Sequence, residues 1–259
     1  MLKLGGSVIT RKEKPLTPNL PAMRRLAFEI SKAAVSRLVL VHGGGSFGHP
    51  LAKRYSLEKG FRDSSQLLGF SKTHQAMVVL NRMVVDALIQ RNIPAVGLQP
   101  SSCAVSKSGR IHTMEDEPLR RLLESGFVPV LYGDTVVDLD MGFSILSGDQ
   151  LVAHLAVLLN ANRVIVGIDE DGLYSCDPKV DPSARLISHA TPQELKNMQK
   201  GLEKAKTPDV TGGMLGKIAE LTPAVERGVS ALIVNAAKPN NVYKALKGEG
   251  VVGTLIEKE

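Results

Sequence analysis

The sequence predicts an α/β fold with an open, mainly parallel central sheet and helices on both faces. Short segments rich in Val, Ile and Leu alternate with stretches of helical period along the whole chain, as they do in sheets covered on both faces. The chain has 259 residues, of which 43% are hydrophobic. It is therefore long enough to bury a sizeable core as a single domain over residues 1–259.

Seven strands are predicted, each a short run of apolar and β-branched residues. Helical candidates lie between them. In chain order, the predicted strands are residues 2–4, 37–41, 95–98, 128–132, 163–167, 231–234 and 251–256.

Helical periodicity is clearest in two segments, where apolar residues recur every three or four positions. These apolar positions are Met23, Leu26, Ile30 and Ala33 in the first segment, and Met77, Leu80, Val84 and Leu88 in the second, which spans residues 65–90. A third helix is predicted over residues 151–159. Residues 171–213, rich in Asp, Pro, Lys and Ser, are predicted to form loops on the same domain.

Charge and cysteine content exclude several classes of protein. Lys and Arg number 32 against 26 Asp and Glu, but this excess is scattered, so neither nucleic acid nor a membrane surface is expected as a partner. With only 4% aromatic residues, the chain suits a small anionic substrate better than stacked bases. Cys103 and Cys176 form no disulfide or zinc pattern, and no leader or apolar run of about 18 residues is present. These features favour the reducing cytoplasm.

Gly43, Gly45 and Gly48 follow the second predicted strand with the spacing G-x-G-x-x-G, which is typical of a dinucleotide-binding turn. Such a turn normally opens the first βαβ unit, and an acidic residue about 20 positions later ends the next strand. Here the turn follows the second strand, and Asp63 comes after a polar helical stretch. The pattern therefore argues against a dinucleotide cofactor.

Three other glycine-containing turns are predicted at strand ends or helix starts. They are Gly5-Gly6-Ser7, Gly133-Asp134 and Thr211-Gly212-Gly213. In such turns, backbone N–H groups point at phosphate oxygens, and a following helix N-terminus adds a favourable dipole. Together with the loop at Gly43, they predict a polyphosphate along the carboxyl edge of the sheet, where open α/β folds bind ligands.

Two lysines accompany these turns. Lys3 lies on the first strand, two residues before Gly5, and Lys217 lies five residues after Gly212. Because phosphoryl transfer needs mainly positioning and charge neutralisation, two lysines with Mg²⁺ form a sufficient minimal catalyst. Asp149 precedes the third predicted helix and is expected to be its N-cap. In a site with two lysines, the same carboxylate would also fix their positions.

The sequence contains no P-loop, nucleophile elbow, zinc-protease or deaminase motif. Its glycine turns, lysines and aspartate instead occur in the order seen in the amino-acid kinase superfamily, which the chain resembles from the first strand to the last helix. Within that superfamily, residues 9–12, the HGGGSFGH stretch and residues 209–213 most resemble the isopentenyl phosphate kinase family. The stretches that carry the wider resemblance are Lys3-Leu4-Gly5-Gly6-Ser7, His42-Gly43-Gly44-Gly45, Gly133-Asp134, Ser147-Gly148-Asp149, residues 169–174 with Asp177-Pro178, and Gly212-Gly213-Met214 with Lys217.

This resemblance implies transfer of the γ-phosphoryl group of ATP to isopentenyl phosphate, giving isopentenyl diphosphate and ADP for isoprenoid synthesis by an alternative mevalonate pathway. Lys3 and Lys217 would stabilise the transferring group, and Asp149 would orient both lysines. Lys12 would help to hold the phosphates, while His49 would bond the acceptor phosphate. No general base is expected, because the accepting phosphate is already an anion.

The other implied site residues divide between an N-terminal part for the acceptor and a C-terminal part for ATP. The resemblance implies that the acceptor phosphate is bound around the glycine loop by Gly44, Gly45, Ser46, Gly48 and His49. It implies that ATP, with Mg²⁺ bridging its phosphates, is bound by Lys3, Gly5, Gly6, Ser7, Asp169, Gly172, Tyr174, Asp177, Pro178, Gly212, Gly213 and Lys217. No direct protein ligand for the metal is predicted.

The apolar tail of such an acceptor requires a pocket. Its candidate wall comprises positions on one side of the long predicted helix and two residues further along the chain: Phe70, Thr73, Met77, Val130 and Ile145. Because Thr73 is mildly polar for a prenyl chain, the preferred tail length stays open.

Two alternatives remain open at the level of sequence. One is a kinase of the same superfamily for glutamate, acetylglutamate, carbamate or UMP, although we identify no groups for an α-amino acid or a base. The other is a non-catalytic nucleotide-binding protein on the same fold, although such a protein would not need Lys3, Asp149 and Lys217 together. The resemblance also implies a homodimer.

Overall fold

The computed structural model describes residues 1–176, 178, 180–205, 216 and 219–258, with the backbone alone for residues 199–205. Within these ranges, the strands are β1 (Leu2–Leu4), β2 (Leu40–His42), β3 (Ala95–Gly97), β4 (Ala104–Lys107), β5 (Arg110–Met114), β6 (Val128–Tyr132), β7 (Asp134–Asp138), β8 (Gly142–Leu146), β9 (Arg163–Ile168), β10 (Leu173–Tyr174), β11 (Leu186–Ile187), β12 (His189–Ala190), β13 (Ser230–Asn235) and β14 (Gly253–Ile256). The helices are α1 (Gly6–Ile9), α2 (Leu20–Ala33), α3 (Gly45–Arg54), α4 (Ser65–Ile89), α5 (Glu117–Glu124), α6 (Gly148–Leu158), α7 (Pro192–Ala205), α8 (Thr222–Glu226) and α9 (Asn241–Lys247), with short 3₁₀ helices at Leu57–Lys59 and Pro100–Ser102.

The main sheet has eight strands in the order β12-β14-β13-β9-β1-β2-β6-β3. Neighbouring strands are parallel throughout, except that β14 runs antiparallel to β13. β1 lies near the centre, where Lys3 is opposite Val41 of β2 on one side and Val166 of β9 on the other. The first strand of the chain is therefore enclosed by strands on both sides.

The core consists of two apolar clusters, one on each face of this sheet. One joins the sheet to α1, α2, α3, α4 and α9, and the other joins it to α5, α6, α7 and α8. Successive side chains of a strand point to opposite faces, so Leu2 and Leu4 lie in the first cluster. Lys3, between them, points to the α6 face.

The parallel sheet predicted from the sequence is confirmed. All seven predicted strands belong to it, and the predicted periodic segments form α2, α4 and α6. The second strand begins at Leu40 rather than at residue 37, because Arg37 has a φ of 54°. A residue in this left-handed conformation cannot continue an extended strand.

The prediction of loops over residues 171–213 is wrong for much of that segment. It contains the β10-β11 hairpin, β12 and the helix α7. A second sheet, in the order β5-β4-β7-β8, was also missing from the prediction. Its strands mix polar with apolar residues, and β5 has no buried residue, so no continuous apolar run marks them.

Candidate active site

Two connections of the main sheet meet the start of α6, which follows β8 of the second sheet, at the carboxyl edge of the main sheet. β1 leads through Gly5 into α1, β2 leads through Gly43-Gly44 into α3, and β8 leads through Ser147 into α6. The connections after β1 and β2 lie together because parallel strands of an open α/β sheet end at one edge, which is where these folds bind ligands. The edge predicted as the ligand site therefore brings the predicted turns at Gly5 and Gly43 together with the start of α6.

These turns approach one another so closely that side chains cannot be accommodated. A Cβ atom on Gly6 would overlap the backbone of Gly45, and one on Gly148 would lie 3.0 Å from the carbonyl oxygen of His42. Gly45 also has a φ of 49°, a conformation that costs about 1–2 kcal/mol for other L-residues. Glycine at these positions lets the three segments pack into one surface lined by backbone.

Lys3 forms the most buried ion pair of this surface. Its Nζ lies 2.7 Å from Oδ1 of Asp149, and its side chain is only 3% exposed. Because an ammonium buried without a partner is very costly, the Asp149 carboxylate offsets much of the cost of burying Lys3. The prediction that Asp149 holds a lysine agrees with this contact, whereas the prediction that it caps α6 is wrong. Ser147 is the N-cap, and its side chain accepts a bond from the N–H of Gln150 at 3.0 Å.

A second lysine–aspartate pair lies on the other side of the β1 turn. Lys12 Nζ donates to Asp169 Oδ2 at 2.8 Å, and Ser7 Oγ donates to Asp169 Oδ1 at 2.7 Å. Burial raises the pKa of Asp169, but the bonds from Lys12 and Ser7 outweigh it, so the pKa lies below its usual value. Asp169 is therefore an ionised carboxylate with both oxygens engaged.

The glycine loop supplies the start of α3, a ten-residue helix that contains Ser46, Gly48 and His49. Helix N-termini carry unpaired N–H groups and a positive dipole end, both of which favour an anion. Ser46 is buried; its N–H donates to Thr10 Oγ1 at 2.9 Å, and its hydroxyl donates to the carbonyl of Thr17 at 3.2 Å. His49 has an exposed side chain on the same helix.

His42 lies directly before this loop and is fully buried. Its ring stacks on Tyr132 with the centroids 5.6 Å apart, and Nδ1 donates to the carbonyl of Gly43 at 3.1 Å. Burial lowers the pKa of His42 to about 4, against a smaller opposite effect of this hydrogen bond. His42 is therefore neutral near pH 7 and supports the loop by packing.

One residue of the predicted pocket wall lies against the same loop. Met77 of α4 packs against it, since Cβ atoms on Gly44 or Gly48 would lie 3.1 Å from the Met77 sulfur. Val130 of β6 is fully buried in the same apolar cluster as Met77. The Thr73 hydroxyl donates to the carbonyl of Gly69 at 2.9 Å. Because this bond satisfies the hydroxyl within α4, Thr73 adds little polarity to an apolar surface.

Phe70 of the predicted set lies in a cluster with two aromatic residues that are absent from that set. The ring of Phe70 lies 5.4 Å from that of Phe143, which in turn lies 5.9 Å from Phe61. Phe143 is buried on β8, two residues before Ile145, which is partly exposed. The alternation of β8 would identify Phe143 only after β8 itself had been recognised as a strand.

At the turn Gly133-Asp134, the N–H of Gly133 donates to the carbonyl of His42 at 3.0 Å, whereas the prediction has it point at a phosphate. Asp134 begins β7, and its fully buried carboxylate lies 3.0 Å from Nδ1 of His74. It also accepts from the N–H groups of Thr135 at 2.9 Å and Ser101 at 3.3 Å. Asp134 therefore joins α4 to the second sheet.

On the nucleotide side, Gly172, Tyr174 and Pro178 belong to the connection that follows β9. A Cβ atom on Gly172 would lie 3.0 Å from the backbone nitrogen of Thr254, so this turn packs tightly against β14. Tyr174 lies on β10 and is partly exposed, and Pro178 is exposed. The other predicted residues of this side, Asp177, Gly212, Gly213 and Lys217, lie outside the described residues.

Over the ranges described, no group of three or more His, Cys, Asp or Glu side chains is placed to hold a metal ion. None of the described helices is both long and apolar enough to cross a membrane.

The fold and this edge define an α/β protein with a surface lined by glycine backbone and a buried lysine that is paired with a carboxylate. The chain belongs to the amino acid kinase family, whose sequence model matches residues 1–235. It is 44% identical over 264 residues to an isopentenyl phosphate kinase of Methanothermobacter thermautotrophicus, covering 99% of this chain and 98% of the relative. It is 36% identical over 267 residues to the isopentenyl phosphate kinase of Methanocaldococcus jannaschii, covering 99% and 98%. An X-ray structure of an isopentenyl phosphate kinase matches the fold with a TM-score of 0.87 at 42% identity over 98% of both chains.

Proposed function

We propose that the chain is an isopentenyl phosphate kinase, which transfers the γ-phosphoryl group of ATP to isopentenyl phosphate. The observation that carries this proposal is the packing of Met77 against Gly44 and Gly48. This packing places the N-terminus of α3, which suits an anion, beside the apolar side chain of Met77 on α4. An acceptor with a phosphate head and a short apolar tail matches this combination. The similarity to isopentenyl phosphate kinases over nearly the full chain supports the same acceptor.

The proposed mechanism is direct transfer between bound phosphates. Lys3, held by Asp149 at 2.7 Å, supplies fixed positive charge at the turn after β1, and Lys217 is proposed as the second cation. Fixed charges of this kind stabilise the transition state because they need no reorganisation as negative charge develops. His49 would donate to the acceptor phosphate, whose oxygen is already anionic and needs no general base.

ATP is proposed to lie over the carboxyl ends of β9 and β13, against the connection that contains Gly172 and Tyr174. Mg²⁺ is proposed to arrive with the nucleotide, since this ion commonly binds through substrate phosphates and keeps several waters. When bound, it would neutralise charge on the phosphate oxygens. Lys12 would add a further positive charge at the turn after β1.

We also propose that the chain is a cytoplasmic homodimer, as its resemblance to the superfamily implies. Light scattering coupled to gel filtration tests the oligomeric state. A mass of one chain at micromolar protein would contradict the dimer without affecting the proposed reaction.

The reaction is tested by ADP release from Mg·ATP with isopentenyl phosphate, glutamate, acetylglutamate, carbamate and UMP as separate acceptors. We expect isopentenyl phosphate to give by far the highest kcat/KM. The matched control is Lys217→Ala, which should still bind Mg·ATP but lose most turnover. A higher kcat/KM for another acceptor would replace the proposed substrate. Binding of Mg·ATP without turnover of any acceptor would favour a non-catalytic protein.

A further inference from the structure

Asp169 connects two segments that are far apart in the sequence and adjacent at the site. Its two carboxylate oxygens accept from Ser7 at 2.7 Å and from Lys12 at 2.8 Å, both in the segment that follows β1. The N–H of Gly5 also donates to the carbonyl of Gly167 at 2.7 Å. Three bonds therefore fix the β1 turn, and with it Lys12, to the end of β9.

The charge of Asp169 makes it poorly suited to contact the nucleotide directly. Its pKa is lowered, so it is an anion, and it stands at an edge that is expected to bind phosphates. Like charges at close range repel, and a phosphate beside this carboxylate would be opposed unless a cation intervened. Both oxygens already accept from donors, so this carboxylate is better suited to orienting a cation than to binding ATP.

Folding stability alone does not account for this ion pair. The Lys12 side chain is 62% exposed and that of Asp169 is 33% exposed. Ion pairs with such exposure contribute little to folding, because solvent screens them and two long side chains lose conformational freedom. A fixed partner does restrict the flexible stem of a lysine, whose ammonium is otherwise a mobile point charge. The benefit of the pair therefore lies in the location of the Lys12 ammonium.

We propose that Asp169 is a positioning residue that acts through Lys12 and Ser7. It holds the Lys12 ammonium beside the glycine turn across which the phosphoryl group passes, and it does not itself contact ATP. This inference rests on the proposed function, and it replaces the simpler expectation that Asp169 binds the nucleotide.

A double-mutant cycle tests the proposal. We compare the wild type with Asp169→Asn, Lys12→Ala and the double variant, measuring kcat and KM for isopentenyl phosphate and the Kd of Mg·ATP by calorimetry. Asp169→Asn should lower kcat about tenfold or more when Lys12 is present, and less than about twofold in the Lys12→Ala background. Asp169→Glu, which keeps the charge, should restore part of the loss.

Asp171→Asn is the matched control, because this neighbouring carboxylate pairs with Lys238 and Asn235 instead. Its effect should combine additively with Lys12→Ala. The proposal is overturned if the Asp169→Asn loss is equally large in both Lys12 backgrounds. It is also overturned if Asp169→Asn raises the Mg²⁺ concentration needed for activity in both backgrounds, since Asp169 would then be a metal ligand. If the wild type turns over no acceptor, the proposed function fails, and the Mg·ATP Kd values alone decide whether Asp169 and Lys12 are coupled.

Discussion

At the scale of single residues, the site depends on charges that the fold holds in place. Lys3 is buried between two leucines of a central strand, and Asp149 alone among the described carboxylates forms an ion pair with it. A pair of this kind is weak support for stability, because desolvation offsets the attraction, but removing one partner leaves an uncompensated charge. The pair therefore fits the proposed role of Lys3 in phosphoryl transfer better than a role in folding stability.

The cost of removing one partner alone gives a prediction for variants of the Lys3–Asp149 pair. Asp149→Ala should lower the free energy of unfolding by about 3–5 kcal/mol, because it leaves Lys3 buried and unpaired. The double variant Lys3→Met/Asp149→Leu should regain most of that stability and remain inactive. Urea unfolding and ADP release measure the two effects. Equal instability of the single and double variants would show that the charge of Lys3 is not the cause.

A second prediction concerns His49. His49→Ala should lower kcat/KM for isopentenyl phosphate by about 10–100-fold, because a hydrogen bond to a charged group contributes about 1.5–3 kcal/mol. The KM for ATP should change little. Steady-state kinetics with each substrate varied in turn provide the measurement, and an unchanged kcat/KM for the acceptor would remove His49 from the site.

At the scale of elements, the candidate site is formed by several turns that pack against one another, and no single sequence motif defines it. The parallel strands could be predicted because both faces of the sheet are covered, so that most of these strands are short runs of apolar residues. The second sheet could not be predicted, because strands such as β5 have exposed polar positions. Lys3 could be placed from its flanking leucines. The partners of Asp169 could not be predicted, because Lys12 lies 157 residues away in the sequence. The contact between Asp169 and Lys12 exists only after β1 and β9 have paired.

The packing of turns predicts the effect of Gly45→Ala. The new Cβ would meet the Thr10 hydroxyl and the backbone of Gly6, in addition to the strain of a φ of 49°. Gly126→Ala is the matched control, since Gly126 has a φ of 88° and a Cβ atom added there would meet nothing within 4 Å. Both should lose about 1–2 kcal/mol of stability from backbone strain. Gly45→Ala should lose more and should also weaken acceptor binding, measured by thermal unfolding and by KM.

At the scale of the whole molecule, stability should depend on pH through His42. Its pKa is about 4 in the folded protein and 6.5 when unfolded, so below pH 6.5 the unfolded chain binds a proton that the folded chain does not. Stability from this residue is therefore complete above pH 6.5 and decreases as pH falls towards 4. At about 1.4 kcal/mol for each pKa unit, the loss is about 3 kcal/mol.

His42→Phe tests this expectation, because phenylalanine can retain the stacking on Tyr132 but cannot titrate. Its free energy of unfolding should fall less steeply than that of the wild type between pH 6.5 and pH 4, as measured by urea unfolding at a series of pH values. Parallel curves for the two proteins would contradict a role for His42.

The central place of β1 also determines when the site can form. As the chain emerges from the ribosome, residues 2–4 are made well before residues 165–167 of β9, with which they pair. Until then, β1 has an open strand edge, which is a hazard for misassociation. Contacts this distant in sequence also slow folding. Recovery of activity during refolding should therefore follow the formation of the β1–β9 ladder and lag behind the burial of local helical segments.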